Sequence, residues 1–87
     1  MKVPMRIIMY TKTGCPWCAG VRELLNKHKV PFEERNVMDH EHFYAELTSK
    51  SGQTLTPTLD IDGEILSDSD ADQVSAYLKR RGVAGFK

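Results

Sequence analysis

The chain has 87 residues, with twelve basic and twelve acidic side chains, 40% hydrophobic and 28% charged. That length supports one domain around a single modest core and is too short for two. The composition argues against wholesale disorder, collagen-like repeats and a membrane protein, and the zero net charge marks no nucleic-acid or acidic-surface binder.

Met1-Lys2, followed by a segment with Pro4 and Arg6, lacks the apolar run and cleavage site of a secretory signal, so a cytoplasmic address is expected. Apolar runs such as Ile7-Ile8-Met9 are far below the roughly 20 residues that span a bilayer. Met5 to Tyr10 is apolar and β-branched, which predicts a buried strand ending at the polar loop Thr11-Lys12-Thr13-Gly14. Val21, Leu24, Leu25 and His28 then fall at helical spacing, with Pro16 in the first turn and Val30-Pro31 as the stop. Phe32 to Val37 alternates weakly, as a second strand does. Asp39 is the expected cap of a second helix, with Phe43, Tyr44 and Leu47 on one side and Ser49 to Gly52 breaking it.

Thr58 to Ile61 and Glu64 to Leu66 flank Asp62-Gly63, a two-residue hairpin signal, because a type I′ turn needs positive φ at both central positions. Ser69-Asp70-Ala71-Asp72 reads as a capping box opening a last helix, with Ala71, Val74 and Leu78 on one face and an end near Gly82. The tail from Gly82 to Lys87 is expected to fray. The order β-α-β-α-β-β-α, without repeat or linker, predicts one α/β domain over residues 1–87. Its mixed four-stranded sheet has a parallel first pair joined by a right-handed crossover. This is a thioredoxin-like layout.

The two cysteines stand together as Cys15-Pro16-Trp17-Cys18, a reactive spacing rather than the scattered cysteines of a secreted scaffold. Disulfide exchange needs a thiolate, and a free cysteine near pKa 8.5 is mostly protonated at neutral pH. At a helix N-terminus, unpaired N–H groups and the positive dipole end stabilise the charge, and Lys12 adds another cation nearby. Cys15 is therefore the expected nucleophile. Cys18, about one turn on, is the expected resolving thiol. Trp17 offers an apolar surface beside the sulfur. The alternatives are a packing pair or half of a zinc site completed by His28, His40 or His42, whose spacing does not resemble a second ligand pair; His40 and His42 read as surface residues and His28 as a partner of the helix-end carbonyls.

Over nearly its whole length the chain resembles the glutaredoxin family. Tyr10-Thr11-Lys12 before Cys15-Pro16-Trp17-Cys18 is similar to the family's strand, lysine and dithiol, and Ser51-Gly52-Gln53-Thr54-Leu55-Thr56-Pro57 is similar to its substrate-binding loop. The resemblance implies a cis Pro57 facing the cysteines, with Thr56 pairing its backbone with the peptide part of glutathione. It implies Lys12 and Gln53 at the glycine-end carboxylate, Trp17 beside the sulfur, and Ser69 and Asp70 near the γ-glutamyl carboxylate. Glutathione is then a co-substrate, with no bound cofactor or metal, protein disulfides are partners, and the chain acts as a monomer.

The resemblance lapses where many members carry Gly-Gly, a small residue and aspartate, since this chain has Ser67-Asp68-Ser69-Asp70. Asp68 brings a side chain and a negative charge toward an anionic ligand end. Thr56 also replaces a frequent valine, and Leu55 to Tyr77 is partly similar to mycothiol-dependent relatives. Two alternatives follow. One is a hydrogen donor reduced by thioredoxin reductase or another thiol; the other, disfavoured by the dithiol with Pro16, is a binder of an iron–sulfur cluster.

Overall fold

The computed structural model describes residues 5–83, so the expectations for Met1 to Pro4 and for Ala84 to Lys87 lie outside the described residues. Its elements are β1 (Ile7–Thr11), α1 (Pro16–Lys27), β2 (Glu33–Asn36), α2 (Glu41–Ser51), β3 (Thr58–Ile61), β4 (Glu64–Leu66) and α3 (Ala71–Arg80). The sheet runs β2-β1-β3-β4. The β1–β2 pair is parallel, with Ile8 opposite Glu33. β3 lies antiparallel to both β1 and β4.

β1 is central and buried at all five positions, which is why it reads as a continuous apolar run rather than an alternating one. Ile7 and Met9 join Leu59 and Ile61 of β3 against Val21 and Leu25 of α1 and Val74, Tyr77 and Leu78 of α3. Ile8 and Tyr10 form a second cluster with Val37 and with Leu47 of α2, and Phe43 packs against it. The strand's two-residue period thus divides the core between two helices on one face and one helix on the other.

Several boundaries differ from the sequence reading. β2 is shorter than 32–37 and consists of Glu33-Glu34-Arg35-Asn36. As an edge strand it needs no apolar alternation, and charged side chains there discourage pairing with another chain. α1 stops before Val30-Pro31, because Lys29 takes a left-handed φ of 56°. The N–H groups of Lys29 and Val30 then bond back to the carbonyls of Asn26 and Leu25 at 3.1 and 2.9 Å, a Schellman end that buries Val30.

α2 is capped by His40, whose side chain makes no capping bond, and not by Asp39. The side chain of Asn36 accepts the N–H of Met38, and Asp39 donates its own N–H to the Asn36 carbonyl; this turn delays the helix by one residue. The polar run Ser49 to Ser51 does not break α2, which continues until Gly52 at φ 70°. Tyr44 is exposed rather than packed with Phe43 and Leu47.

α3 starts one residue later than the Ser69 pattern implies. Its capping box is Asp70 with Gln73, each side chain accepting the other's backbone N–H. Ser69 is unavailable as a cap because it is buried and its N–H donates to the Pro57 carbonyl at 2.8 Å. Asp62 and Gly63 both have positive φ, 52° and 91°, as the hairpin reading requires.

The α2 face also carries a polar network. The buried Tyr10 hydroxyl donates to Glu46 at 2.8 Å and accepts from Lys50 at 2.7 Å; Lys50 also pairs with Asp60 at 2.8 Å. Burial pushes the Tyr10 phenol above its ordinary value, with Lys50 opposing it. The hydroxyl thus serves as a satisfied anchor between β1 and α2.

Candidate redox site

The site forms where the loop after β1 enters α1. Gly14 takes φ 78°, and the Cys15 N–H closes the turn on the Lys12 carbonyl at 3.3 Å. Cys15 is the N-cap of α1, with extended backbone, and its sulfur accepts the Cys18 N–H at 3.1 Å. Pro16 at the first helical position sacrifices no bond, since that N–H lacks an intrahelical partner in any sequence. Negative charge on Cys15 therefore meets a backbone donor and the helix dipole together.

The two sulfurs are joined in a disulfide whose Cα atoms are 5.2 Å apart. They are unequal in access: Cys18 is 1% exposed, whereas Cys15 is half-buried. Only Cys15 is open to an incoming molecule. Trp17 is 64% exposed beside it.

Opposite the cysteines stands the loop before β3. The Thr56-Pro57 bond is cis. The Thr56 carbonyl oxygen lies 3.8 Å from the Cys15 sulfur, and the Thr56 hydroxyl donates toward that sulfur at 3.6 Å. The structure thus brings Thr56 and Pro57 to Cys15, while Lys12 lies three residues before Cys15 on the entry loop, half-buried.

Gln53 is occupied within its own loop. Its amide nitrogen donates to Ser51 and Thr58 at 2.9 and 3.0 Å, and its carbonyl oxygen accepts the Leu55 N–H. Its observed part is to brace the loop that carries Thr56. Ser69 and Asp70 stand at the start of α3, next to the cis proline through the Ser69-to-Pro57 bond. Their backbone N–H groups are already committed, to Pro57 and to Gln73.

Thr58 is the residue that sequence reasoning missed. It is 1% exposed, and its hydroxyl donates to the Leu55 carbonyl while accepting from Gln53 and from the Asp68 N–H, at 2.8, 3.0 and 3.2 Å. One hydroxyl thereby fastens the cis-proline loop to the β4–α3 loop. The available signal was a β-branched polar residue directly after Thr56-Pro57, at a position expected to be buried.

On the far side, Thr11 donates to Glu34 at 3.0 Å, and Arg22 of α1 grips the same carboxylate with two bonds of 2.7 and 2.6 Å. The Arg22 hydrogen bond is the largest influence holding the Glu34 carboxyl below the usual range. This clamp ties α1 to β1 and β2 directly below the entry loop. His40 and His42 are exposed and meet the Phe43 ring edge-on at the start of α2. Among the described residues, no group of three or more His, Cys, Asp or Glu is placed to hold a metal ion.

A four-stranded mixed sheet with three helices, carrying an N-cap cysteine and a buried partner against a cis proline, defines a thiol–disulfide oxidoreductase of thioredoxin-like fold. The glutaredoxin family profile matches residues 7–66, and the chain belongs to the glutaredoxin family. It is 33% identical over 69 residues to the hybrid peroxiredoxin hyPrx5 of Haemophilus influenzae, a match covering 79% of this chain and 28% of that protein. The chain thus spans under a third of that relative's length. It is 31% identical over 62 residues to glutaredoxin 3 of Escherichia coli K12, covering 71% of this chain and 75% of that one.

Among solved structures, the thioredoxin-like protein BC3987 superposes with a TM-score of 0.74 at 30% identity, over 80% of this chain and 96% of that chain. A buckwheat glutaredoxin–glutathione complex superposes with a TM-score of 0.66 over 87% of this chain and 69% of that one. At 22% identity, that likeness is one of fold.

Proposed function

We propose that the protein is a glutathione-dependent dithiol oxidoreductase that reduces protein disulfides and glutathione mixed disulfides. The observation that carries this reading is the inequality of the two sulfurs, Cys15 open at a helix N-terminus and Cys18 buried one turn behind it. In the reduced protein the Cys15 thiolate attacks one sulfur of the substrate disulfide. A Cys15 mixed disulfide forms, and the other substrate sulfur leaves as a thiolate that takes up a proton. Cys18 then loses its proton and attacks Cys15, expelling the second substrate thiol and leaving the Cys15–Cys18 disulfide. Two glutathione thiols return the two electrons and become glutathione disulfide.

In this reading Thr56 presents its backbone to the peptide part of glutathione, with Pro57 setting the direction of that segment. Trp17 covers one side of the reacting sulfurs, and Lys12 faces the glycine-end carboxylate. Gln53 contributes as the brace of the loop, while Ser69 offers its hydroxyl and Asp70 holds the start of α3 for the γ-glutamyl end. The protein disulfide partners meet the same Cys15 surface.

A second reading is a donor recharged by thioredoxin reductase. It is favoured by the start of α3, where Asp68, Asp70 and Asp72 cluster and the N–H groups of Ser69 and Asp70 are internally bonded. That corner is poorly disposed to an anionic ligand end. The experiment is a coupled assay on a glutathione mixed disulfide, with glutathione and its reductase in one cuvette and thioredoxin reductase in another. Turnover in the first, retained in Cys18→Ser and abolished in Cys15→Ser, is expected. Turnover only in the second transfers the protein to the alternative reading.

A further inference from the structure

We propose that Asp68 sets a charge preference at the redox site, favouring peptide disulfides flanked by a cationic residue over those flanked by an anionic one. The inference deepens the protein-disulfide reading above and rests on it. The wall facing Cys15, Thr56-Pro57 with the loop before α3 bonded to it, belongs to a stretch with no basic residue between Lys50 and Lys79 and six acidic ones; Asp60, Asp62 and Glu64 lie toward the β3–β4 hairpin, where Ile61 pairs with Ile7, and Asp68, Asp70 and Asp72 at the Pro57 end. Most of these near the sheet are committed. Asp60 pairs with Lys50, Asp62 faces Arg81 and the Arg6 N–H, and Asp70 caps α3.

Asp68 differs. It is exposed, and among the described residues its carboxylate makes no hydrogen bond or ion pair; Asp72 is likewise exposed and unpaired but stands in the first turn of α3, without a bond to the cis-proline loop. The backbone of Asp68 is fixed against the site. The Asp68 N–H donates to Thr58, and the neighbouring Ser69 N–H donates to Pro57, whose cis partner Thr56 places a carbonyl oxygen 3.8 Å from the Cys15 sulfur. Asp68 therefore stands on the rim that a substrate chain passes once its cysteine is engaged. Trp17 and Leu55, 64% and 54% exposed, supply apolar surface on other parts of that rim; Lys12 is the cation on the entry loop, and because it is common to the wild type and to a variant at position 68, the change in preference between the two reads Asp68 alone.

A substrate residue two positions from its disulfide cysteine lies about 7 Å along an extended chain. Taking about 7 Å as its separation from the carboxylate, a water-like dielectric and 10 mM salt, changing that residue from glutamate to lysine alters the encounter by roughly fivefold. At 0.15 M salt the same calculation gives about twofold. The effect selects among partners and leaves the chemistry at sulfur unchanged.

The test uses the full chain, reduced with dithiothreitol and desalted, in single turnover against two short peptide disulfides that differ only in lysine or glutamate two residues from cysteine. The dithiol supplies both electrons, so no reductant choice enters. Faster reaction of the lysine peptide, by roughly fivefold at low salt and shrinking with added salt, is expected. In Asp68→Asn, which keeps the side-chain size and tolerates a left-handed φ, the ratio should fall toward one. A merely structural role for Asp68 would slow both peptides and leave the ratio unmoved. Equal rates with the two peptides, or a ratio that survives Asp68→Asn, overturns the inference. Failure to reduce either peptide instead refutes the protein-disulfide reading, and the preference falls with it.

Discussion

Replacing Thr58 by valine removes the hydroxyl that joins the two loops of the site while nearly preserving shape. Three hydrogen bonds disappear, to Leu55, from Gln53 and from Asp68. Leu55 and Asp68 are exposed, so their backbone groups recover water and the cost is the net worth of each bond, about 1 kcal/mol, rather than the full penalty of a buried orphan. Three such losses, offset by about 0.8 kcal/mol for the added methyl at a position only 1% exposed, leave a destabilisation of about 2 kcal/mol. With an m-value of about 1.5 kcal/mol/M, the urea midpoint falls by about 1.3 M. Thr58→Ser is the control, since it retains the hydroxyl and loses a methyl, at a cost of about 1 kcal/mol. Urea unfolding of wild type and both variants in the same redox state gives the ranking. A valine variant at least as stable as the serine variant would refute the assignment of the hydroxyl as the fastening between the loops.

The Arg22–Glu34 clamp makes a pH-dependent contribution. Because Arg22 holds the Glu34 pKa below its ordinary value, the stabilisation is complete above the unfolded carboxylate pKa and is lost as pH falls through the folded one. Arg22→Met should therefore cost about 0.5–1 kcal/mol at pH 7, as for an exposed bidentate pair, and almost nothing at pH 3. Denaturation at the two pH values checks this, and an equal cost at both would place the effect in packing. Asp70→Ala removes the capping box of α3 and should cost about 1 kcal/mol, a fall in Tm of about 4–8 °C. Ser69→Ala should change Tm less, because Ser69 holds its position through a backbone bond; calorimetry of the two variants separates Asp70 from Ser69 as the cap.

What the sequence conveyed best were features with a local physical cause. Cys15 at a helix start, Pro16 in the first turn and the Asp62-Gly63 hairpin each depend on backbone chemistry within a few residues. The central strand was legible because burial on both faces demands a continuous apolar run. The edge strand was read too long, since Glu33 to Asn36 is held by pairing with β1 and by Arg22 and Arg35, interactions that local periodicity does not encode. The two misplaced caps share a cause. Asn36 and Ser69 are claimed by turn and loop bonds that pattern rules cannot anticipate, which moved each helix start by one residue. The cis Pro57 came through family likeness rather than local propensity, and Thr58 escaped notice because its partners are up to ten residues away.

The unequal exposure of Cys15 and Cys18 also bears on damage. An oxidant such as a peroxide reaches Cys15 first and converts its thiolate to a sulfenic acid, the reversible step of the oxidation series. The waiting thiol of Cys18, sheltered from the same oxidant and one turn away, condenses with that group, releasing water and closing the disulfide. Further oxidation to the sulfinic acid is cut short. In the proposed exchange Cys18 acts second, and the burial that suits it to that step also keeps the outer sulfur on a path from which a thiol can recover it.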